Sequence, residues 1–419
     1  MDPGSNLRDV LTYNPLIISD IPHYHLSMAC NHCLEPPCEE QCPAKAIRKD
    51  PESGIVIIDD TLCIGCTYCS WVCPYGAPEF DISEGIMKKC DLCHERISSG
   101  FRPACETVCP TGALQTQLID PETVEQKVPF FPETGISPAI SIEKPGRPSA
   151  SKQQYINTYP EEILKSYSSG PDVKVVDVSL KREWTLFMFT LLISVLGAVF
   201  GGNFLAGKNI DPVIFGVSAI SGIVISLIHL GKKSRSFRII RNFSNSWISR
   251  ESVFFALFLS FSFLSLSGKL NPFSGIAGMI TIYLTAFSAD MIYSRSAGAR
   301  MELFHSAQIT LTLSFFLCYI TGFITGFIIL SVIKVSLYLR RKVSYGFGSS
   351  IQILLTLFRI IAGLAIPSVL ILLTGAGGII IPILLLAGEM TDRGEFYYEF
   401  DILSPRDVMN NYFNRELLK

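Results

Sequence analysis

The sequence predicts a small α+β domain near the N-terminus, followed by an all-α polytopic membrane domain of eight transmembrane helices. Two observations divide the chain in this way. Twelve of the 13 cysteines lie between residues 30 and 109, and Cys318 stands alone in an apolar run. From residue 184 onward, long apolar runs follow one another, and hydrophobic residues make up 48% of the chain. The net charge of −2 gives no indication of a nucleic-acid partner.

The clustered cysteines form three groups of four, and each group ends in Cys-Pro. The groups read C-x2-C-x4-C-x3-C-P, C-x2-C-x2-C-x3-C-P and C-x2-C-x11-C-x3-C-P. Their members are Cys30, Cys33, Cys38 and Cys42; Cys63, Cys66, Cys69 and Cys73; and Cys90, Cys93, Cys105 and Cys109. The second spacing is typical of ferredoxins that bind [4Fe–4S] clusters, because three close thiolates wrap one face of the cluster. Zinc also accepts four thiolates, but its sites usually pair two C-x2-C knuckles. The pattern therefore favours three [4Fe–4S] clusters.

The segments between the motifs predict a ferredoxin-like α+β fold for residues 1–115. "GIVIID" at 54–59 and "GIMKKC" at 85–90 predict short strands that lead into cysteine loops. "AKAI" at 44–47 and "TGAL" at 111–114 predict short turns or helices after the prolines. A disulfide framework is the alternative for an even cysteine count, but the N-terminus shows no apolar signal region and no twin arginine.

Residues 116–183 predict a proline-rich linker. This stretch holds eight prolines and no sustained period of a helix or strand. The aromatic residues of "VPFFPETGISP" at 128–138 indicate that part of it packs as an extended strap.

Eight apolar runs predict eight membrane spans between residues 184 and 400, because one span needs roughly 20 apolar residues. The runs lie at 184–207, 213–231, 252–268, 272–293, 304–321, 323–340, 349–373 and 375–390. The stretch 304–340 divides in two near residue 321, because a single helix of that length would exceed the roughly 30 Å hydrocarbon core. A C-terminal tail, 401–419, follows.

The basic residues of the loops predict the orientation in the membrane. With eight spans, the N-terminus and the even-numbered loops share one side. Those loops carry eleven basic residues, against Lys208 and Lys269 on the other side. The eleven are Lys232, Lys233, Arg235, Arg238, Arg241, Arg250, Arg295, Arg300, Arg340, Arg341 and Lys342. The positive-inside rule then predicts a multi-pass inner (cytoplasmic) membrane protein with its cysteine-rich domain on the cytoplasmic side. Loops that dock a partner on that face are the alternative.

Two polar residues at one membrane edge are candidates for a quinol site. His229 ends the second run and Glu251 begins the third, so the helical hairpin returns both to one side. Such a pair can take up protons released when a quinol is oxidised. The alternative is a pair of helix-end residues satisfied by solvent. Arg359, Asp290 and Glu389 are weaker candidates. His305 is the only other histidine of the membrane half, so one bis-histidine haem with His229 is conceivable and two are excluded.

Both halves resemble the dimethyl sulfoxide reductase family. "CNHCLEPPCEEQCP", "CIGCTYCSWVCPYGAP" and "KCDLCHER" are similar to its iron–sulfur subunit. "EWTLFMFT", "HLGKKSRSFRIIRNFSNSWISRE" and "LLLAGEMTDRGEFYY" are similar to its eight-helix membrane anchor. The resemblance covers most of residues 21–400 and implies electron transfer between the membrane quinol pool and a molybdopterin catalytic subunit, with no haem in the anchor. It also implies that His229 and Glu251 serve the quinol site.

One departure concerns the number of cysteine motifs. The family's iron–sulfur subunit has four cysteine motifs, and the first of them is absent here. We therefore expect either that the chain is truncated or split, or that its electron-transfer path has one cluster fewer. In paired ferredoxin folds, the fourth cysteine of each motif ligates the other cluster. This predicts that Cys30, Cys33 and Cys38 share a cluster with Cys73, and that Cys63, Cys66 and Cys69 share one with Cys42. The third motif has no mate. Either Cys109 is the fourth ligand of the cluster bound by Cys90, Cys93 and Cys105, or its thiol points away from that cluster. We predict that it points away, which makes the third cluster fragile.

The sequence therefore predicts an electron-transfer subunit of a membrane oxidoreductase complex, which carries at most the quinol oxidation step itself. Its expected partners are the lipid bilayer, the quinol pool and a molybdopterin-containing subunit, and no nucleic acid. Two other functions stay open: an anchor that docks a catalytic subunit without quinone turnover, and a self-sufficient ferredoxin–quinone oxidoreductase.

Overall fold

The chain is divided by its own contacts into two compact units. The computed structural model describes residues 7–14, 23–118, 135–141, 180, 183–268, 272–296, 304–345, 350–375, 378–400 and 408–409. The first unit comprises Met1–Asp177, Ser296–Gly298 and Ile402–Lys419, and the second comprises Val178–Arg295 and Ala299–Asp401. Most of the predicted linker 116–183 and of the tail 401–419, and the loop residues Lys269 and Arg300, lie outside the described residues.

Three small antiparallel hairpins organise the first unit. They pair β1 (Asp9–Tyr13) with β2 (Tyr24–Met28), β3 (Ile47–Lys49) with β4 (Val56–Ile58), and β5 (Glu79–Asp81) with β6 (Ile86–Lys88). Four short helices lie within the cysteine motifs: α1 (Pro37–Glu40), α2 (Tyr68–Trp71), α3 (His94–Ser98) and α4 (Ala104–Thr107). β4 and β6 lie inside the two segments predicted as strands. The second hairpin links the first cysteine motif to the second, the third hairpin links the second motif to the third, and the first hairpin precedes all three. "TGAL" begins as a turn, and "AKAI" leads from a turn directly into β3.

The strap of residues 135–141 packs on the first cysteine motif. The N–H of Leu34 donates to the carbonyl of Ser137 at 2.9 Å, and the N–H of Ala139 donates to the carbonyl of Asn31 at 3.0 Å. Beside it, a small core joins the first hairpin to the cysteine loops; its buried members are Leu11, Tyr13, Met28, Cys33, Cys73, Tyr75 and Met409. The apolar core of this unit is therefore built around cysteine loops.

Helices make up the described part of the second unit. Their bounds are α5 (Trp184–Ala206), α6 (Pro212–Ile228), a 3₁₀ helix (Lys233–Ile240), α7 (Trp247–Leu266), α8 (Phe273–Ser294), α9 (Ile309–Thr321), α10 (Ile324–Tyr345), α11 (Ser350–Ile360), a π-helical turn (Ile361–Ala365), α12 (Ile366–Thr374) and α13 (Ile380–Glu399). The π-helical turn precedes Pro367. A proline ring would clash there with the carbonyl four residues earlier in a regular α-helix.

Four of these helices are long and apolar enough to cross a membrane, and a bent pair would make a fifth. The four are Trp184–Ala206, Trp247–Leu266, Phe273–Ser294 and Ile351–Thr374, the last being the continuous run of α11, the π-helical turn and α12. The bent pair consists of α6 and the 3₁₀ helix, which meet at 104°. α9 has only 13 residues. α10 and α13 each carry several charged side chains, and α13 continues nine residues beyond the predicted end of the last run. The finding therefore supports a multi-pass protein with four to five clear spans.

Candidate functional site

Eight of the twelve clustered cysteines line two cavities of the first unit. Cys30, Cys33 and Cys38 of the first motif line one cavity together with Cys73, the fourth cysteine of the second motif. The second cavity is lined by Cys63, Cys66 and Cys69, together with Cys42, the fourth cysteine of the first motif. The cavities have volumes of about 360 and 330 Å³, including their open mouths. Each cavity thus brings together three cysteines of one motif and the fourth cysteine of the other.

Left-handed residues shape each cysteine loop in the same way. The residue before the second cysteine of each motif has a positive φ, which is 43° at His32, 68° at Gly65 and 54° at Leu92. In the third motif this turn lets the N–H of Leu92 donate to the Cys90 sulfur at 3.4 Å. Two N–H groups outside these turns also donate to thiol sulfurs. The N–H of Ala46 donates to the Cys42 sulfur at 3.3 Å, and that of Met87 donates to the Cys63 sulfur at 3.5 Å. Such bonds stabilise thiolates and the reduced form of an iron–sulfur cluster.

The thiols of both cavities are held away from water and close to one another. Burial and, to a smaller extent, the neighbouring thiols of Cys73 and Cys30 together raise the pKa of Cys33 to about 12. Burial likewise raises the pKa of Cys73 to about 11 and raises that of Cys66 well above its usual range. Four crowded thiolates therefore require a cationic centre, and four-thiol cavities between ferredoxin loops fit [4Fe–4S] clusters. Among the described residues, no three His, Cys, Asp or Glu side chains converge on a single metal-ion position.

The third motif stands apart from both cavities. Cys90, Cys93, Cys105 and Cys109 are half-buried, and neither cavity includes any of them. Cys105 lies on α4, and Cys109 follows that helix. The Cys109 sulfur lies 3.5 Å from the Thr111 hydroxyl. This hydrogen bond and nearby backbone N–H groups lower the pKa of Cys109 to about 7. Its thiol is therefore satisfied locally, by the loop that follows it.

His229 and Glu251 lie at the connected ends of two consecutive helices. His229 directly follows α6, and Glu251 is the fifth residue of α7. Glu251 is only 5% exposed. Its Oε1 atom and the Nδ1 atom of His229 are both buried, and neither has a hydrogen-bond partner among the described residues. No hydrogen bond or ion pair is seen between the two side chains there, so each keeps one buried polar atom unsatisfied.

Asp290, one of the weaker candidates, has a structural role. Its carboxylate accepts hydrogen bonds from the N–H of Ile309 at 2.7 Å and from the N–H and hydroxyl of Thr310 at 3.0 and 2.7 Å. These are first-turn groups of α9, which lack partners inside their own helix. Asp290 of α8 therefore caps α9 from another helix. His305, the suggested haem ligand, stacks on Phe396 with 4.5 Å between ring centroids.

The other weaker candidates, Arg359 and Glu389, belong to a buried ion-pair network. Arg359 lies 2.6 Å from Glu389 and 3.3 Å from Asp392, and Lys334 lies 3.0 Å from Glu389. The network continues toward the ends of α10 and α13 through further pairs: Arg341 with Asp392 and Glu399, and Lys342 with Glu395 and Glu399. Each positive charge thus meets a carboxylate inside the helical unit.

This network corrects the assignment of Arg341 and Lys342 to a loop. They are 5% and 1% exposed and lie on α10, so nine of the eleven basic residues remain in the orientation argument. Sequence reasoning also missed Lys334, Asp392 and Glu395. A signal was available, because residues 389, 392, 395 and 399 of α13 are all acidic and recur at helical spacing.

Comparison with known proteins places the first unit among iron–sulfur electron-transfer proteins. A 4Fe-4S dicluster domain matches residues 21–119, which contain all twelve clustered cysteines. One chain of the anaerobic dimethyl sulfoxide reductase of Escherichia coli (strain K12) is 46% identical over 97 residues, 23% of this chain and 47% of the relative. The protein therefore spans about half the length of that relative.

Two further relatives extend the similarity. YnfG of E. coli K12, named as a chain of a probable anaerobic dimethyl sulfoxide reductase, is 38% identical over 152 residues, 36% of this chain and 70% of the relative. A sulfite dehydrogenase subunit of Allochromatium vinosum is 40% identical over 150 residues, 32% of this chain and 62% of the relative. This protein belongs to the family of dimethyl sulfoxide reductase iron–sulfur subunits. Its apolar helices are consistent with the fusion of a membrane anchor to that subunit.

Proposed function

We propose that this chain passes electrons from membrane quinol, through [4Fe–4S] clusters, to a separate molybdopterin catalytic subunit. The observation that carries the proposal is the presence of two crossed four-thiol cavities in a chain that also contains helices apolar enough to span a membrane. The relatives are named as parts of reductases and of a dehydrogenase. An electron-transfer subunit needs both an electron donor and an electron acceptor. The fused helices supply a binding place for the donor, which is the lipid-soluble quinol.

The cysteines have assigned roles in this proposal. Cys30, Cys33, Cys38 and Cys73 hold one cluster, and Cys63, Cys66, Cys69 and Cys42 hold the second. Bound clusters supply one-electron carriers whose potentials are set by charge, hydrogen bonds and exposure. Cys90, Cys93 and Cys105 hold a third cluster, which is the most fragile because Cys109 is engaged with its own loop.

The second unit spans the membrane eight times, with the cysteine-rich unit on the cytoplasmic side of the inner membrane. The five helical segments that are clearly apolar are joined by α9, α10 and α13. The charges on α10, α11 and α13 do not oppose insertion, because Lys334, Arg359 and Glu389 pair inside the unit rather than facing lipid. Nine basic residues in the loops and at the helix ends of the predicted cytoplasmic side support the orientation.

Glu251 and His229 form the quinol site in this proposal, and they accept the protons that quinol oxidation releases. The burial of Glu251 and the unpartnered atoms of both side chains argue against the alternative of a solvated helix-end pair. A buried acceptor without a hydrogen bond is costly unless a ligand completes it. The other acidic candidates, Asp290 and Glu389, are already satisfied by Thr310 and Arg359.

Reduction of the clusters by quinol tests this function. The chain is purified anaerobically, its iron and sulfide are measured, and a quinol analogue is added while the cluster absorbance is followed. We expect fast bleaching in the parent and slow bleaching in Glu251→Gln and His229→Ala, with equal iron in all three. Asp211→Asn is the matched control, because Asp211 caps the other end of α6 and asparagine caps equally well.

Two alternatives predict other results in the same experiment. If dithionite bleaches the clusters but quinol does not, the chain is a docking anchor without quinone turnover. If quinol reduces the clusters but no molybdenum-containing subunit co-purifies from the native host membrane, the chain is a self-sufficient ferredoxin–quinone oxidoreductase.

A further inference from the structure

The two four-cysteine cavities differ in the other side chains that line them. The first cavity is lined by Asn31 and Lys89 in addition to its thiols. In the second cavity the remaining lining is apolar, with three isoleucines and Met87 among it. Since charge and hydrogen bonding set the potential of an iron–sulfur cluster, the two sites are not equivalent.

Lys89 brings a buried positive charge to the first cavity. Its side chain is only 6% exposed, although lysine is almost never buried without partners. The ammonium group donates to the carbonyl of Val56 and, at 3.1 Å, to that of Cys90. Both partners are neutral carbonyls, so its charge is not cancelled by them. Burial raises the pKa of the Cys38 and Cys73 thiols, and the charge of Lys89 opposes that rise.

Lys49, on β3, brings a second ammonium group to the first cysteine motif. Its Nζ atom donates to the carbonyls of Cys33 at 2.9 Å and Leu34 at 2.8 Å. These again are neutral partners. The charge therefore lies beside the peptide that carries the Cys33 ligand, and it opposes the rise that burial causes in the pKa of Cys33.

Asn31 contributes an unused donor. Its side chain is 5% exposed and lines the first cavity, and its Nδ2 atom has no hydrogen-bond partner in the part of the chain that the structure describes. Leaving a buried donor unsatisfied is unfavourable, because the group loses its hydrogen bonds to water. A sulfur acceptor held by the surrounding thiols would satisfy it.

We propose that the first cavity holds the cluster of higher reduction potential, and that Lys89, Lys49 and Asn31 raise that potential. The proposal rests on the proposed function, because it requires clusters in both cavities. One-electron reduction adds negative charge to a centre that four thiolates already make negative. Nearby cations and donors stabilise that reduced form, whereas an apolar wall does not.

The second cavity has one feature that acts in the opposite direction. Its sulfurs accept the two N–H bonds from Ala46 and Met87. Each of these is a neutral dipole, whose influence falls off faster with distance than that of a full charge. Two ammonium groups therefore outweigh them, and an electron shared between the two sites resides mainly in the first cavity.

Redox titration of the anaerobic full-length chain, followed by electron paramagnetic resonance, tests this order. The signals are assigned with Cys38→Ser for the first cavity and Cys69→Ser for the second. Lys89→Met removes the charge at nearly constant volume. Lys49→Met and Asn31→Leu are independent variants in case Lys89→Met loses iron. Arg48→Met is the matched control, because Arg48 is the exposed neighbour of Lys49 on β3.

We expect the signal of the first cavity to have the higher midpoint in the parent. That midpoint should fall in Lys89→Met, Lys49→Met and Asn31→Leu, and in these variants the midpoint of the second cavity should shift less. Arg48→Met should shift neither midpoint by a comparable amount. A higher midpoint in the second cavity, or equal shifts of both signals in every variant, would overturn the proposal. Mediators poise the potential without quinol, so failure of quinol oxidation would leave this result readable, and absence of iron would instead refute the proposed function.

Discussion

Removal of the Arg359 guanidinium should destabilise the helical unit strongly. Arg359 is fully buried and is shared by two carboxylates, at 2.6 Å from Glu389 and 3.3 Å from Asp392. Loss of one partner of a buried ion pair costs about 3–5 kcal/mol, because it leaves an uncompensated charge. In Arg359→Met, Glu389 keeps Lys334 and Asp392 keeps Arg341, both at 3.0 Å. We therefore expect a loss of about 3 kcal/mol, at the lower end of that range.

Thermal loss of helical circular dichroism in detergent measures this effect. For a unit of this size, about 3 kcal/mol corresponds to a midpoint lowered by roughly 6–12 °C. Arg340→Met, which removes an exposed arginine of α10, is the control and should cost less than about 1 kcal/mol. The double variant Arg359→Met with Glu389→Gln removes one charge of each sign, so it should recover part of the loss. A midpoint of Arg359→Met within the error of the Arg340→Met value would refute the charged interior.

Three further changes have defined outcomes. Gly388→Ala should destabilise the helical unit by about 1–3 kcal/mol relative to Gly216→Ala. The added Cβ at residue 388 would lie 2.6 Å from the Gly363 Cα, whereas the space around Gly216 is open. Equal thermal midpoints of the two variants would contradict this close approach of the helices. Cys105→Ser should lose one cluster by iron analysis, whereas Cys109→Ser should lose little; loss of a cluster in Cys109→Ser would mean that the third motif closes on itself. Asp290→Ala should cost about 1 kcal/mol by thermal unfolding through loss of the α9 cap, with Asp290→Asn largely preserving it; equal losses in both would exclude capping.

Local patterns predicted most of the first unit. The spacing of the twelve cysteines limits which thiols can meet, and the exchange of Cys42 and Cys73 between motifs follows from ferredoxin geometry. The strands around Val56 and Met87 follow from short β-branched or apolar segments bounded by turns. Such signals lie within a few residues of one another, so no tertiary information is needed to read them. The asymmetry between the cavities was not predictable, because Lys89 acts on thiols that lie 16 and 51 residues earlier in the sequence.

The helical unit was predicted less completely, because its charged residues find distant partners. Lys342 pairs with Glu395, 53 residues later. A hydropathy reading treats both as solvent-facing, so it placed Lys342 in a loop and ended the last run at residue 390. The structure instead extends α13 to Glu399, since the paired charges can be buried. Asp290 likewise finds its hydrogen-bond partners, Ile309 and Thr310, on another helix, 19 and 20 residues later.

Assignment of the cluster ligands tests the central claim most directly. Iron, acid-labile sulfide and zinc are measured in the anaerobically purified chain, and the dithionite-reduced protein is studied by electron paramagnetic resonance. We predict about twelve irons per chain when all three motifs are loaded. Cys73→Ser should then alter the same signal as Cys33→Ser and leave unchanged the signal that Cys66→Ser alters. Stoichiometric zinc without sulfide, or a Cys73→Ser variant that alters only the Cys66 signal, would contradict the account.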